Sequence, residues 1–497
     1  MTAPASTPDL LLIAERHALP TALAHLGASE AHAARLLGVL TLDPTETGAC
    51  PRWAPSLGTL DDLERVVHET KPAIALLAIP AAMTACIAQV RERCAALNLP
   101  AHYLPTLDDL LAGDPASALP AFHIDLNALV GRPVRDVDAH LVRQAVTGKR
   151  VLITGAGGSI GAELARLCAR FEPEDLILMD RSDNAIFEID RELKETLPNV
   201  PRKAILHDVV DAALTRKRLE SLRPQIIFHA AAHKHVPLME DHPAEAVKNN
   251  LFGTKSVADA ALALGIERFV MISTDKAVNP TSVMGATKRL AELYIRALND
   301  RGDTRFTLVR FGNVLGSACS VLPIWSAQLA QGGPITVTDA RMTRYFMTIP
   351  EAAALVVQSG ALSDSAGDVF VLDMGDPVRI LDLAQRFLRA HAIEPDANAI
   401  TLTGARPGEK LHEELAYDAE ELAETPIPGV LSWVGRAEET TWIDGATARL
   451  AAACARHDPI EVLGELKACL PEFTGGSLAE IPVNRRYSQE AIAPGAA

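Results

Sequence analysis

The chain has 497 residues, of which 48% are hydrophobic and 22% are charged. This length predicts about three domains, and this composition excludes a small disulfide-stapled scaffold and argues against a disordered or fibrous chain. The formal net charge of −16 argues against broad binding to nucleic acid or anionic lipid, so an anionic ligand requires a local cationic site. Seven scattered cysteines without a C-x-x-C pair are typical of reduced thiols in the cytoplasm.

The N-terminal segment carries no basic flank before its apolar run at 10–13, which argues against a secretory signal. Residues 72–90 form an uncharged stretch of 19 residues, close to the length of a membrane helix. Because Pro80 interrupts this stretch, we predict a strand over 73–79 and a helix over 85–96 instead. We therefore expect no membrane span and a cytoplasmic protein.

Residues 1–113 predict a small N-terminal α/β accessory domain. Short apolar runs alternate there with helical periods, at 36–42, 60–68, 73–79, 85–96, 103–104 and 107–111. Two identical Thr-Leu-Asp-Asp-Leu stretches begin at Thr59 and Thr106, and we interpret each as a capping box that opens a helix. A connector over 114–148 precedes the main domain, which we place at 149–418. A C-terminal extension over 419–497 follows and ends in a loose tail.

A glycine-rich turn between a strand and a helix opens the main domain. The strand over 150–154 ends in Thr154, and the turn reads Gly155-Ala-Gly157-Gly158-Ser159-Ile160-Gly161. This order places bare backbone amides and a positive helix end against a pyrophosphate. The next strand ends in Asp180, whose carboxylate suits an adenosine ribose and repels a 2′-phosphate. We therefore predict a dinucleotide site that favours NAD, whereas Arg181 leaves NADP as the alternative.

The remaining strands of the main domain predict a doubly wound parallel α/β sheet of the Rossmann type. Helical stretches separate them, and they cover 204–206, 225–229, 268–273 and 306–310. Ligands gather at the carboxyl ends of such strands, and the fifth strand runs directly into Thr274, Asp275 and Lys276. The following helix carries Met284 and Lys288 on one face. This cluster is a candidate catalytic site, and a structural ion pair at the sheet end is the alternative.

Further motifs accompany the glycine turn and the Thr-Asp-Lys cluster. They read Ala230-Ala-Ala-His-Lys234-His235-Val-Pro, Asn249-Asn250-x-x-Gly253-Thr254, Ser273-Thr-Asp-Lys-Ala-Val-Asn279-Pro, Met284-Gly-Ala-Thr-Lys288, Gly312-Asn313-Val, Arg344-Tyr-Phe-Met-Thr and Arg406-Pro-Gly-Glu-Lys410-Leu. Over about 125–418 the sequence thereby resembles the extended short-chain dehydrogenase/reductase superfamily, and within it the CapD-like nucleotide-sugar 4,6-dehydratases. The resemblance implies a smaller C-terminal substrate-binding subdomain, bound NAD and a UDP-sugar substrate.

The resemblance also implies roles for individual residues. The catalytic residues would be Thr274, Asp275, Lys276, Met284 and Lys288. The cofactor-binding residues would be Thr154, Gly155, Gly157, Gly158, Ser159, Ile160, Gly161, Asp180, Arg181, Asp208, Val209, Ala230, Ala231, Ala232, Asn249 and Lys288. The substrate-binding residues would be Lys234, His235, Asn313, Arg344, Arg406 and Glu409. We predict no metal site, because His229, His233 and His235 lack an acidic or cysteine ligand at suitable spacing.

Met284 stands where the superfamily normally has a tyrosine, and a thioether cannot exchange a proton. A methionine there resembles the subgroup that dehydrates UDP-N-acetylglucosamine with retention at C5, giving UDP-4-keto-6-deoxy-N-acetylglucosamine for surface polysaccharide or glycan biosynthesis. The resemblance implies that NAD takes the C4 hydride and returns it to C6. Lys276 would abstract the C5 proton, and a protonated Asp275 would donate to the departing C6 hydroxyl.

Two features of the sequence complicate this mechanism. Adjacent Asp275 and Lys276 stabilise each other's charged forms, so burial must keep both neutral. Cys319 replaces a glycine that the family usually has, which predicts a narrower loop over the sugar. Thr274 would hydrogen-bond the C4 oxygen, and Lys288 would hold the nicotinamide ribose and favour a C4 alkoxide.

Two other functions stay open at this point. One is a 4-epimerase or reductase of the same fold, and the other is a non-catalytic sensor or scaffold that merely holds NAD. Extended members of the superfamily usually pair through helices beside the fourth and fifth strands. We therefore expect a homo-oligomer that pairs through about 243–264 and 283–298. Membrane-anchored members of the family carry spans before a similar N-terminal unit, and this sequence resembles a cytoplasmic version.

Overall fold

The computed structural model describes residues 9–16, 18–20, 22–23, 35–42, 54–80, 83–97, 99–104, 138–330, 333–362, 369–390, 393, 395, 399–417, 420–433 and 442–476. The chain divides into two compact units, Met1–Asp125 and Leu126–Ala497. Over the described ranges, no helix is both long enough and apolar enough to cross a bilayer. Of the predicted connector over 114–148, residues 114–137 lie outside the described residues, as do the predicted helix at 107–111 and the predicted tail from 484.

The first unit contains a parallel sheet with strand order β3-β2-β1-β4-β5. Its elements are β1 (Asp9–Ala14), β2 (Arg35–Thr41), β3 (Ser56–Thr59), α1 (Leu63–Thr70), β4 (Ile74–Ala78), α2 (Thr84–Ala96) and β5 (Ala101–Tyr103). The sequence analysis missed β1 and β3, although β1 is the central strand and is almost wholly buried. The capping box at Thr59 is confirmed, since its amide donates to the Asp62 carboxylate at 2.9 Å. The second predicted box, at Thr106, lies outside the described residues.

The described part of the second unit contains a nine-stranded sheet, with order β19-β20-β16-β11-β10-β9-β6-β7-β8. The strands from β8 to β16 run parallel, and β20 and β19 add an antiparallel edge. The strands of this sheet are β6 (Arg150–Thr154), β7 (Asp175–Asp180), β8 (Arg202–Leu206), β9 (Ile226–His229), β10 (Arg268–Thr274), β11 (Arg305–Phe311), β16 (Val369–Leu372), β19 (Leu422–Glu424) and β20 (Val430–Trp433). The predicted doubly wound α/β fold is confirmed.

Helices cover both faces of this sheet, which is why its central strands are apolar on both sides. On β6, Leu152 faces one core, whereas Val151 and Ile153 face the other. The helices are α3 (Ala139–Val146), α4 (Ser159–Ala169), α5 (Asp183–Thr196), α6 (Ala212–Leu222), α7 (Val236–Asp241), α8 (Pro243–Ala246), α9 (Gly253–Ala263), α10 (Val283–Leu298), α11 (Val321–Ala330), α12 (Ile349–Ser359), α13 (Ile380–Ala390), α14 (Ile443–Ala455) and α15 (Pro459–Cys469).

Short strand pairs hold the segments that follow β11 beside the end of the sheet. The pairs are β12 (Asn313–Leu315) with β15 (Phe346–Thr348), β13 (Ile335–Val337) with β18 (Ile400–Leu402), and β14 (Thr343–Arg344) with β17 (Val378–Arg379). They form the smaller substructure that carries Asn313 and Arg344, two of the predicted substrate-binding residues.

Residues 420–433 and 442–476, which belong to the predicted extension over 419–497, are part of the main unit. The strands β19 and β20 pair onto its sheet, and α14 and α15 pack against α10 in one core cluster. Every residue of α10 is consequently buried. The expected pairing of two chains through 283–298 is therefore wrong, because the chain's own C-terminal helices take that surface. The homo-oligomer itself stays a prediction.

Candidate active site

A cleft of about 190 Å³ lies where the order of the parallel strands reverses, at the carboxyl ends of β6, β7 and β9. Gly155 has a φ of +68°, and a Cβ there would lie 2.7 Å from the Ala231 amide nitrogen, so only glycine fits. The predicted cofactor residues that line the cleft are Gly155, Gly158, Asp180, Arg181, Asp208, Val209, Ala230, Ala231, Ala232 and Asn249. Met179, His207 and His233 line it as well, and the sequence analysis did not assign them there.

The Asp180 carboxylate is fixed by the backbone on both sides. Its Oδ2 accepts from the Gly157 amide at 2.9 Å, and its Oδ1 accepts from the Ser182 amide at 2.9 Å. Arg181 instead points along the cleft, where it contacts Asn249 and His233 and lies 4.0 Å from Asp208. Asp180 is thus held in place in the lining of the cleft.

Several predicted cofactor residues support the cleft rather than line it. Thr154 is buried and hydrogen-bonds His229 Nδ1 at 2.7 Å, and the opposite ring nitrogen lies 2.9 Å from Thr254 Oγ1. Burial, together with the charge of Lys288, lowers the pKa of His229 to about 3, so the ring stays neutral. Ile160 packs against the core. The hydrogen bonds of His229 to Thr154 and Thr254, together with the packing of Ile160, fix the base of the cleft.

The Thr-Asp-Lys cluster follows β10 in a short 3₁₀ turn, Asp275–Ala277. The Asp275 side chain is wholly buried, and its Oδ1 accepts from Thr274 Oγ1 at 2.8 Å and from Lys276 Nζ at 2.9 Å. Its Oδ2 has no hydrogen-bond partner in the described part of the chain. Lys276 Nζ also donates to Asn313 Oδ1 at 3.2 Å, and its side chain is 20% exposed. The couple is therefore shielded from bulk solvent, as the mechanism requires.

The charge of Lys276 differs from the expectation. Burial lowers the pKa of its amine, but the carboxylates of Asp275 and Glu413 together outweigh burial and raise that pKa above its ordinary value. The resting form of Lys276 is thus the ammonium. The expectation that burial alone keeps the couple neutral is wrong for the lysine.

Met284 and Lys288 lie on α10 beside this cluster, and both are buried. Lys288 Nζ donates to the Ile272 carbonyl of β10 at 2.7 Å. Burial lowers the pKa of Lys288 to about 8, because it disfavours the charged amine more than the Glu292 carboxylate favours it. The first turn of α10 is closed by Ser282, whose hydroxyl accepts from the Gly285 amide at 3.0 Å.

A second cleft, of about 330 Å³, opens beside Lys276. The predicted substrate residues Lys234, His235, Asn313, Arg344, Arg406 and Glu409 all line it. Burial lowers the pKa of Lys234, and burial with the neighbouring cations lowers that of His235. The cleft gathers Lys234, Lys276, Arg344, Arg406 and Lys410, so an acidic chain presents a local cationic surface there.

The two predicted arginines of this cleft are held differently. Arg344 is buried and donates to the carbonyls of Thr343 and Lys410 at 2.8 and 2.9 Å, so it mainly fixes the loop. Arg406 is 59% exposed in its side chain, and Glu409 holds it through an Nη2–Oε1 contact of 2.7 Å. Arg406 is therefore the arginine that is open to an anionic ligand, and Glu409 orients it.

The loop that carries Cys319 joins the two clefts. The Ala318 amide donates to Ser159 Oγ at 3.1 Å, and the Ala318 carbonyl accepts from Lys234 Nζ at 2.7 Å. Cys319 has a φ of +56°, a conformation that favours glycine, and it lines the second cleft. The cysteine thus occupies space that a glycine would leave open.

A family model described as "Polysaccharide biosynthesis protein" matches residues 151–433, more than half of the chain. The chain belongs to this family. It is 43% identical over 360 residues to the capsular polysaccharide biosynthesis protein CapD of Staphylococcus aureus, which covers 72% of this chain and 60% of that protein. It is 34% identical over 273 residues to the UDP-N-acetylglucosamine 4,6-dehydratase (inverting) of Campylobacter jejuni. This match covers 54% of this chain and 77% of that protein.

Among solved structures, Pen from Bacillus thuringiensis superposes with a TM-score of 0.52 at 32% identity, over 57% of this chain and 86% of that one. The expected resemblance to CapD-like polysaccharide biosynthesis proteins is confirmed. This chain spans about 60% of the length of its staphylococcal relative.

One charged group of this polysaccharide biosynthesis protein escaped the sequence analysis. Glu413 lines the second cleft, and its Oε1 lies 3.7 Å from Lys276 Nζ. It follows the predicted Arg406–Leu411 motif by two residues, within His412-Glu413-Glu414. The adjacent acids Glu413 and Glu414 indicate a candidate site carboxylate, but only the fold shows that Glu413 is the one that is buried.

Proposed function

We propose that this protein is an NAD-dependent UDP-N-acetylglucosamine 4,6-dehydratase that retains the configuration at C5. The observation that supports it most is the buried couple of Asp275 and Lys276, with 2.9 Å between Oδ1 and Nζ, at the edge of the cationic cleft. Elimination of water from an oxidised sugar needs a proton acceptor for C5 and a proton donor for the C6 hydroxyl. A 4-epimerase or a reductase has no use for such a pair.

The first cleft, at the carboxyl ends of β6, β7 and β9, fits NAD. A Cβ on Gly161 would lie 2.0 Å from the Gly155 carbonyl oxygen, so the turn packs closely against the start of α4, whose first-turn amides have no intrahelical acceptor and would bind a pyrophosphate. Asp180 stands where ribose hydroxyls would donate to it, and its charge disfavours a 2′-phosphate. When bound, NAD supplies hydride transfer, first away from C4 and finally to C6.

The couple supplies the proton chemistry. Transfer of one proton across the 2.9 Å contact, from Lys276 Nζ to Asp275 Oδ1, gives a neutral acid and a neutral amine without exchange with solvent. Lys276 then removes the C5 proton, which the 4-ketone has made acidic, and Asp275 donates to the C6 hydroxyl, which leaves as water. Lys276 later returns the C5 proton to the same face of C5, so C5 keeps its configuration.

The remaining groups orient the sugar and balance the charge. Thr274 Oγ1, 2.8 Å from Asp275 Oδ1, would redirect its hydrogen bond to the C4 oxygen. The Lys288 ammonium would stabilise negative charge on that oxygen. Arg406 would bind the diphosphate. Over the whole reaction the C4 hydroxyl loses one proton and the departing water takes one, so the protons balance and the couple ends with the charge with which it began.

Incubation with UDP-N-acetylglucosamine and NAD tests the proposal, with the product followed by mass spectrometry and NMR. We expect a product lighter by one water, with unchanged stereochemistry at C5. Asp275→Asn and Lys276→Ala should each abolish dehydration while NAD still binds, whereas the exposed controls Asp303→Asn and Lys217→Ala should retain it. A product of unchanged mass would indicate an epimerase instead, and absent turnover with bound NAD would indicate a scaffold.

A further inference from the structure

Glu413 is a buried carboxylate in the second cleft, and the proposed mechanism gives it no role. Its side chain is only 3% exposed, and its Oε2 has no hydrogen-bond partner in the described ranges. Burying a carboxylate without direct hydrogen bonds is costly, so the contribution of Glu413 to stability does not explain its position.

Three cations surround this carboxylate at distances beyond hydrogen bonding. Its Oε1 lies 3.7 Å from Lys276 Nζ and 3.9 Å from Arg344 Nη2, and its Oε2 lies 4.0 Å from Lys410 Nζ. Each cation has its hydrogen bonds elsewhere: Arg344 bonds loop carbonyls, and Lys410 bonds the Val278 carbonyl at 2.7 Å. Glu413 therefore acts on them through its charge.

We propose that Glu413 is a positioning residue that, together with Asp275, keeps one proton on the Asp275–Lys276 couple across the working pH range. With Glu413 charged, the five groups Asp275, Lys276, Arg344, Lys410 and Glu413 sum to one positive charge. Without it they would sum to two, and Lys276 would lose its proton at lower pH. A couple without that proton has no acid to offer the C6 hydroxyl. The catalytic benefit of this proton rests on the proposed function, whereas the effect of the Glu413 charge on the pKa of Lys276 depends on the fold alone.

The charged groups that face Lys276 are Asp275, Glu413 and Arg344, and their effects have different signs. The two carboxylates raise the pKa of the amine, whereas burial and Arg344 lower it. Removing the negative charge of Glu413 is thus expected to shift the pKa of Lys276 downward. An opposite charge within about 4 to 6 Å typically shifts a pKa by about 1 to 3 units.

Glu413→Gln tests this inference because it removes the charge and keeps the shape. The matched control is Glu414→Gln: the neighbouring carboxylate is 48% exposed and bonds Asn279 at 2.9 Å. The pH dependence of Lys276 acylation, measured on the full-length chain by mass spectrometry of the labelled peptide, gives the apparent pKa of the amine directly. We expect it to fall by about one unit or more in Glu413→Gln and to stay unchanged in Glu414→Gln.

The charge-conserving variant Glu413→Asp should keep most of the wild-type profile, which a purely structural role would not predict. If Glu413→Gln fails to fold, Glu413→Asp still tests whether the charge is what matters. In Glu413→Gln, the pH above which kcat/KM declines should fall by the same amount as the midpoint of the labelling curve. Wild-type labelling in Glu413→Gln, or an equal shift in Glu414→Gln, would overturn the inference. Because labelling needs no turnover, a failure of the proposed dehydratase activity would show separately, in the wild-type product.

Discussion

Replacing Glu292 with glutamine is expected to lower the free energy of unfolding by about 3 kcal/mol. Glu292 on α10 is wholly buried and accepts from Arg310 Nε and Nη2 at 2.8 Å each and from Ser273 Oγ at 2.6 Å. Breaking a buried ion pair costs about 3 to 5 kcal/mol, because the remaining charge loses its partner. We expect the lower end, since Arg310 keeps Glu420 at 2.7 Å.

Urea unfolding followed by tryptophan fluorescence measures this loss as a lower transition midpoint at an unchanged slope. The control is Glu174→Gln, which breaks the exposed pair with Arg150 and should cost less than about 1 kcal/mol. If Glu292→Gln lost no more stability than this control, the buried ion pair between α10 and β11 would not stabilise the fold as expected.

Three further predictions concern single positions. Cys319→Gly should raise the unfolding free energy by up to about 1 kcal/mol in thermal unfolding, because it relieves a φ of +56°. Gly161→Ala should weaken NAD binding at least about tenfold in a fluorescence titration, since its Cβ meets the Gly155 carbonyl, and wild-type affinity would contradict this. The pKa of His229 is lowered to about 3, so its stabilising contribution is complete above about 6.5 and is lost as pH falls toward 3, by about 1.4 kcal/mol per unit. In His229→Gln this part of the pH slope should disappear from urea unfolding.

The location of the Thr274-Asp275-Lys276 cluster was predictable because parallel topology leaves little choice. Carboxyl ends of the parallel strands of a doubly wound sheet meet at one edge, so Asp180 at the end of β7 and Lys276 after β10 had to lie along the same edge. The glycine turn was predictable for a similar reason, since Gly155 needs a positive φ and Gly161 needs close backbone approach.

Contacts between segments far apart in the chain were not predictable. The strand β1 is a short apolar run whose partners, β2 and β4, come later in the sequence, and periodicity alone does not identify it. The C-terminal helices read as weakly ordered, yet their apolar residues complete the core around α10. The charge of Lys276 depends on Glu413, which lies 137 positions further along, so only the fold brings the two groups within 3.7 Å.

The central claim is that this site oxidises C4, removes water across C5 and C6, and returns the same hydride to C6. UDP-N-acetylglucosamine deuterated at C4, incubated with the wild-type protein and NAD, tests it most directly. We predict a product that has lost one water and carries the deuterium at C6 by NMR. A product of unchanged mass, or deuterium released into free NADH, would contradict the claim.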